Sequence, residues 1–354
     1  MKLIEEINPI EEVLPPFGLA LCGGGAAGKW QAGVLVALAQ IGVLMQTKVI
    51  AGTSIGGLNA GLFSLFGDPM GLFSLFGDPM GLEHDINIPA PLKAAIEIYE
   101  RITKNSDIYK GELNLWGKIG AGLGFITGAE SILDNTPLHK LLERIFGVVR
   151  LKDIAEIFEK HIIVSALNLN TQQEEFFSSF DSATRDILLS HVLKATSAIP
   201  GIFKSVSMDR GGNTDWYVDG GAGANNPFIA LTKYNDAFPE TQIKKAIIIF
   251  CYPDIKPGEH IPRSTKPFKS YRDALLGTLP AMMSAQEQIA EMFVMDQIKD
   301  GWDVLALYPD TIPCDSLDFT KQDILQKGYD YAVAGKGYSY KDGCDINIID
   351  FLKR

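Results

Sequence analysis

The chain has 354 residues, enough for one large domain or two ordinary ones, and its 46% hydrophobic and 21% charged composition excludes a disordered or collagen-like chain. Its formal charge of -11, from 32 basic against 43 acidic residues, has the wrong sign for gripping a phosphate backbone, so nucleic acid is not expected as a partner. The same sign argues against broad adhesion to anionic lipid, while a local basic or apolar patch would still allow transient contact with a membrane surface.

The opening stretch MKLIEEINPIEEVLPPF carries acids and prolines where a secretory signal needs a basic start and an apolar run, so residues 1–16 read as a lead-in segment rather than a signal. Cys22, Cys251, Cys314 and Cys344 are too scattered for a disulfide framework or a C-x-x-C metal site, which favours a reducing, cytoplasmic setting. Phe17 to Cys22 is a short apolar run ending at Gly23-Gly24-Gly25, the pattern of a buried strand entering a glycine turn. From Lys29 to Ile41 the spacing of Trp30, Val34, Leu38 and Ile41 predicts an amphipathic helix stopped at Gly42. Lys48 to Thr53 predicts a second strand, followed by a tight turn at Ser54 and a second helix. Strand, helix, strand, helix predicts a parallel unit with its loops at one edge of the sheet.

Beyond this unit, strands are expected at His161–Leu167, Trp216–Val218, Ala246–Phe250 and Asp303–Tyr308. Helices are expected around Ala90–Thr103, Ala121–Ile132, Pro137–Phe146 and Asp186–Thr196, with a proline-rich, charged excursion at Asp254–Lys269. The first and second of these helices are apolar enough to line a pocket and equally consistent with plain core, the simpler reading for any single residue. GLFSLFGDPM occurs at 61–70 and again at 71–80. A ten-residue step rotates a helix by about 1000°, and each Gly-Asp-Pro would break it, so an extended loop or an apolar flap is expected rather than one continuous helix. The glycines and Asp-Pro steps of this stretch also argue against a membrane span.

Two segments carry chemistry. Gly23-Gly24-Gly25-Ala26-Ala27-Gly28 fits G-x-G-x-x-G, but a dinucleotide site needs an acidic residue about 20 positions on, and none occurs between Glu12 and Asp68. What the loop offers instead is a set of backbone N–H groups at a helix N-terminus. Gly52-Thr53-Ser54-Ile55-Gly56 fits G-x-S-x-G at a strand-to-helix turn, the setting of an exposed nucleophilic serine. Its base would be one of five histidines, His84, His139, His161, His191 or His260, or a carboxylate. His260 satisfies the chain order of a Ser-Asp-His triad but sits in a charged, proline-flanked stretch. Asp219, in Trp216-Tyr-Val-Asp-Gly220-Gly221, ends an apolar strand beside two glycines, where a turn-capping role is the simpler alternative.

Taken together, four blocks in order resemble the patatin-like phospholipase family. They are Gly23-Gly-Gly-x-x-Gly28 with Trp30-Gln31-x-Gly33, then Gly52-Thr-Ser54-x-Gly56-Gly-x-Asn59, then Ala195-Thr-Ser-Ala-Ile-Pro200, then Tyr217-x-Asp219-Gly-Gly221 with Asn225-Asn226-Pro227. The resemblance implies an α/β fold with a mainly parallel central sheet flanked by helices in three layers. It places a domain over residues 17–336, with motif blocks across 18–227 and a C-terminal tail at 337–354. It also implies hydrolysis of lipid acyl esters by a Ser-Asp dyad without cofactor or metal. By position, Ser54 is the nucleophile, Asp219 the base and Gly23, Gly24 and Gly25 the oxyanion loop, with Gly28, Gly52, Gly56, Gly220 and Gly221 as supporting motif residues. One departure is Ala27, where the family often has Arg or Lys. Transfer of the acyl group to another acceptor and a catalytically silent lipid-binding scaffold stand as alternatives, and nothing in the sequence sets an oligomeric state.

Overall fold

The computed structural model describes residues 12–65, 90–111, 131–253 and 288–354, together with residues 2, 10 and 286. The strands are β1 (Phe17–Leu21), β2 (Val49–Thr53), β3 (His161–Asn168), β4 (Gln173–Ser178), β5 (Val206–Arg210), β6 (Asn213–Asp219), β7 (Lys245–Ile249), β8 (Asp303–Leu307), β9 (Lys336–Ser339) and β10 (Cys344–Asn347). The helices used below are α1 (Gly28–Gln40), α2 (Ile55–Ser64), α3 (Ala90–Arg101), α4 (Thr136–Phe146), α5 (Leu151–Phe158), α6 (Leu189–Thr196), α7 (Phe228–Ala237), α8 (Ile324–Val333) and α9 (Ile348–Lys353).

One sheet holds all ten strands, ordered β10-β9-β8-β7-β1-β2-β3-β6-β5 with β4 also on β3. Its centre, β8-β7-β1-β2-β3, is parallel throughout, and antiparallel strands extend it at both ends. Strands covered on both faces need continuous apolar runs, and β1, β2 and β7 are buried at every position. Alternation along the strands sorts side chains by face. Leu19, Leu21, Ile247, Ile249, Leu305 and Leu307 join the larger core with α1 to α6, α8 and α9. Ala20, Ala246, Ile248, Val304 and Ala306 face the other way, where Phe228, Leu231 and Tyr234 of α7 cover them. This is the expected three-layer α/β/α arrangement, with most helices on one side.

The pairing on β3 decides where the site forms. β4 pairs β3 along Ile163–Asn168, overlapping both the β2 pairing, which ends at Ser165, and the β6 pairing, which covers Ala166–Asn168. A strand has two edges, so β4 takes one and β2 and β6 share the other. The C-terminal ends of β2 and β6 therefore meet head to head, Thr53 opposite Ser165 and Asp219 opposite Ala166.

Two expectations change, and two strands appear that the sequence reading did not name. The helix at 28–40 is not amphipathic: Gly28 through Ala39 are all buried, because α1 lies between the sheet, α2, α3 and α8 and has no water-facing side. The supposed tail at 337–354 is structured. β9 and β10 extend the sheet, and α9 buries Ile348, Phe351 and Leu352 in the larger core. Finally, β4 and β5 escape the apolar-run pattern because each is largely half-exposed edge strand. The Ala121–Ile132 helix apart from its last residues, the Asp254–Lys269 excursion and all but residues 61–65 of the duplicated stretch lie outside the described residues. Gly61 to Ser64 simply complete α2. Among the described residues no helix is long and apolar enough to cross a membrane.

Candidate active site

A single residue, Ser54, separates the end of β2 from the start of α2. Its backbone stands at φ 55° and ψ -127°, a left-handed conformation that costs a non-glycine residue about 1–3 kcal/mol. The strain is held by close packing that only glycine permits. A Cβ on Gly52 would lie 2.3 Å from the Gly56 carbonyl oxygen, and one on Gly56 would lie 2.0 Å from that of Leu21. So sharp a turn lifts the Ser54 hydroxyl to the strand tip, at the positive end of α2.

The head-to-head meeting of β2 and β6 brings Asp219 to it. Ser54 Oγ donates to Asp219 Oδ2 at 2.6 Å, while the other carboxylate oxygen accepts the Gly221 N–H at 2.8 Å. Both side chains are nearly enclosed, Ser54 being 8% and Asp219 5% exposed. Burial pushes the Asp219 carboxyl up to about 7, against the opposing pull of its bonds from Ser54 and Gly221. A carboxylate with that affinity accepts a proton near neutral pH far more readily than a solvated one.

The glycine loop reaches the same place from β1. Gly23 N–H is engaged by the Asn225 carbonyl at 3.2 Å and Ala26 N–H by the Ser316 carbonyl at 2.7 Å. Among the described residues the N–H groups of Gly24 and Gly25 have no such acceptor. Gly28 begins α1 against Ile55, where a Cβ would lie 2.1 Å from the Ile55 side chain, and a Cβ on Gly220 would lie 2.6 Å from the Ser165 carbonyl oxygen. Asn59 ties these parts together, donating to Gly28 O at 3.1 Å and Gln31 Oε1 at 2.8 Å while accepting from the Tyr99 hydroxyl.

Lys29 does not stand in for the missing cation at Ala27. Its buried ammonium donates to the carbonyls of Ile102, Phe319 and Lys321 at 2.7, 2.9 and 3.3 Å, pinning α1 to the loop after α3. Nor do the described histidines reach Ser54. His139 bonds Asn135, His161 bonds Ser179 within a cluster of aromatic rings, and His191 is exposed. His84 and His260 lie outside the described residues. Among the described residues no group of three His, Cys, Asp or Glu side chains is placed to hold a metal ion.

Residues whose roles the motif left blank complete the site. Thr196, at the end of α6, accepts the Ser54 N–H on Oγ1 at 2.8 Å, and two residues later the Ala198 carbonyl accepts the Asp219 N–H at 2.9 Å. One short segment thus sets serine against carboxylate. Replacing Thr196 with Val, which keeps the shape and deletes the acceptor, is expected to lower stability by about 1–3 kcal/mol, and Thr196→Ser to restore most of it, as measured by urea unfolding.

Ser54 and Gly25 open onto an apolar pocket whose empty space of about 770 Å³ includes open solvent. Leu58 and Leu62 of α2, Ile98 of α3, and Leu138, Leu142 and Phe146 of α4 form much of its wall. The helix over 90–101 does line the pocket, as its composition suggested. A wall of this kind accepts an extended hydrocarbon group and offers little to a charged one.

The model of the family described as patatin-like phospholipase matches residues 19–232. A sequence search of curated proteins gives no match. Among solved structures, VipD from Legionella pneumophila is similar at TM-score 0.35 and 15% identity, over 93% of this chain and 69% of that one. Human GIVD cytosolic phospholipase A2 is similar at TM-score 0.26 and 18% identity, over 48% of this chain and 23% of that one. ExoU in its complex with SpcU from Pseudomonas aeruginosa is similar at TM-score 0.27 and 19% identity, over 55% of this chain and 38% of that one.

Proposed function

This chain belongs to the patatin-like phospholipase family, and from that premise we propose that it is a serine acyl hydrolase cleaving fatty-acyl esters of lipids, with Ser54 as nucleophile and Asp219 as base. The observation that carries the reading is the 2.6 Å bond from Ser54 Oγ to the buried Asp219 carboxylate at the mouth of an apolar pocket.

In the first half-reaction Asp219 takes the Ser54 proton as Oγ attacks the ester carbonyl carbon. The amides of Gly24 and Gly25 receive the oxyanion, and the N-terminus of α2 adds its positive end. Asp219 then returns the proton to the leaving alkoxide, and the acyl chain stays on Ser54 along the apolar wall. In the second half, Asp219 takes a proton from water, hydroxide adds to the acyl carbon, and collapse frees the fatty acid and returns the proton to Ser54. The long lever in this scheme is the position of Asp219. It must lose its proton to act as a base, yet hold one long enough to deliver it.

Active-site labelling with a fluorophosphonate, followed by peptide mapping, tests the assignment. The expected result is one adduct, on Ser54, absent from Ser54→Ala and accompanied by release of fatty acid from phospholipid or lysolipid vesicles. A folded protein that takes no label would sink the hydrolase reading and leave a lipid-binding scaffold.

A further inference from the structure

We propose that Tyr252 is a positioning residue of the oxyanion site: its hydroxyl grips the Gly24 carbonyl and thereby aims the Gly25 N–H at the oxygen of the ester under attack. The inference rests on the reading of Ser54 as nucleophile and concerns how the loop facing it is held.

Tyr252 stands three residues past β7, and its hydroxyl donates to Gly24 O at 2.9 Å. The same oxygen lies 2.6 Å from Ser316 Oγ. A carbonyl only accepts, so the phenolic proton goes to Gly24 O and the Ser316 hydroxyl donates to the tyrosine oxygen. This makes a directed chain from Ser316 to Tyr252 to Gly24. Burial pushes the phenol far above its ordinary pKa, so the donor stays protonated across the working range of pH.

The consequence follows from the peptide group. Carbonyl and N–H of the Gly24-Gly25 peptide lie in one plane and point in opposite directions. Fixing the carbonyl on Tyr252 fixes the N–H on the other side, and Gly25 is the residue of this loop that lines the pocket with Ser54. A hydrogen bond accepted by the carbonyl also polarises the peptide and strengthens its N–H as a donor. The Gly24 carbonyl also accepts the Ala27 N–H at 3.3 Å, so Tyr252 is the shorter of two holds on a peptide whose glycines would tolerate either orientation.

Side chains are excluded from the loop by the same contacts. A Cβ on Gly24 would lie 2.2 Å from Cys251 Cβ, and one on Gly25, where φ is 57°, would lie 2.1 Å from Ser316 O. Ser316 therefore holds the loop twice, through Tyr252 and through its own carbonyl to Ala26 N–H.

The experiment is steady-state hydrolysis and fluorophosphonate labelling by wild type, Tyr252→Phe and Ser316→Ala. Phenylalanine removes one oxygen, and kcat is expected to fall about tenfold with KM unchanged, because the contact acts on the transition state and not on chain binding. The labelling rate should fall by the same factor, since the phosphonyl oxygen occupies the oxyanion position. Ser316→Ala should lose about two- to threefold, because Tyr252 keeps its own bond to Gly24. An unaltered kcat in Tyr252→Phe, or a loss expressed only as raised KM, overturns the inference while wild-type turnover leaves the hydrolase reading intact. Should Tyr252→Phe melt several degrees lower, Ser316→Ala decides: a loss confined to kcat supports the proposal and no loss overturns it. A wild type that neither labels nor hydrolyses overturns the Ser54 reading and this inference with it.

Discussion

Asp219→Asn is expected to lower kcat by about 10⁴-fold while leaving the protein folded and Ser54 in place. The substitution keeps the shape of the side chain, with the amide oxygen still accepting the Gly221 N–H and the amide nitrogen placed to donate to Ser54 Oγ, the reverse of the wild-type bond. What it removes is the ability to accept a proton. Serine and base act as one unit, so Ser54→Ala combined with Asp219→Asn should be no slower than Ser54→Ala alone within about two- to threefold. Wild-type kcat/KM should fall about tenfold per pH unit below the Asp219 value of about 7 and level off above it, since only the ionised carboxylate serves as base. Stopped-flow or fixed-time assays on a soluble ester across pH 5 to 9 give both numbers. Retention of more than about a tenth of wild-type kcat by Asp219→Asn would sink the dyad and direct attention to a histidine base.

The two members of this pair were legible in the sequence for a local reason. Each sits at the end of an apolar run with glycines close behind, Gly56-Gly57 after Ser54 and Gly220-Gly221 after Asp219, which is the setting of a tight turn. That Ser54 and Asp219 share a hydrogen bond was not legible, because it depends on β2 and β6 occupying one edge of β3 at successive residues, Ser165 and Ala166. Short-range pattern does not encode register between strands more than a hundred residues apart.

Thr196 illustrates the same limit at the level of one atom. The block around it was recognisable, but its hydroxyl works on a backbone N–H 142 residues earlier. Lys29 shows the converse. It lies two residues past the departure at Ala27, but α1 is enclosed on all sides, and the side chain caps carbonyls. The C-terminal strands stayed hidden because strands of four residues carry too little periodicity to read.

Holding a carboxyl almost fully buried also has a cost to the fold, and its sign can be worked out. Asp219 binds its proton more tightly in the native state, at about 7, than in the unfolded chain, near 3.8. Its contribution is fully present below the unfolded value and is lost as pH rises through the folded one. Each pKa unit corresponds to about 1.36 kcal/mol, so the ionised carboxylate destabilises the native protein by on the order of 4 kcal/mol above pH 7. Asp219→Asn never ionises. It should therefore be more stable than wild type by several kcal/mol at pH 8, with the difference shrinking to about 1 kcal/mol or less by pH 4. Glu174 complicates the wild-type curve by itself, since burial lifts its carboxyl to about 7 as well, but it is present in both proteins and drops out of the difference. Paired urea titrations at pH 4, 6 and 8 measure it. A difference that stays flat with pH would mean that Asp219 is not the buried base on which the mechanism turns. A difference that opens between pH 4 and 7 would mark the same residue as the one whose charge the fold resists and the reaction uses.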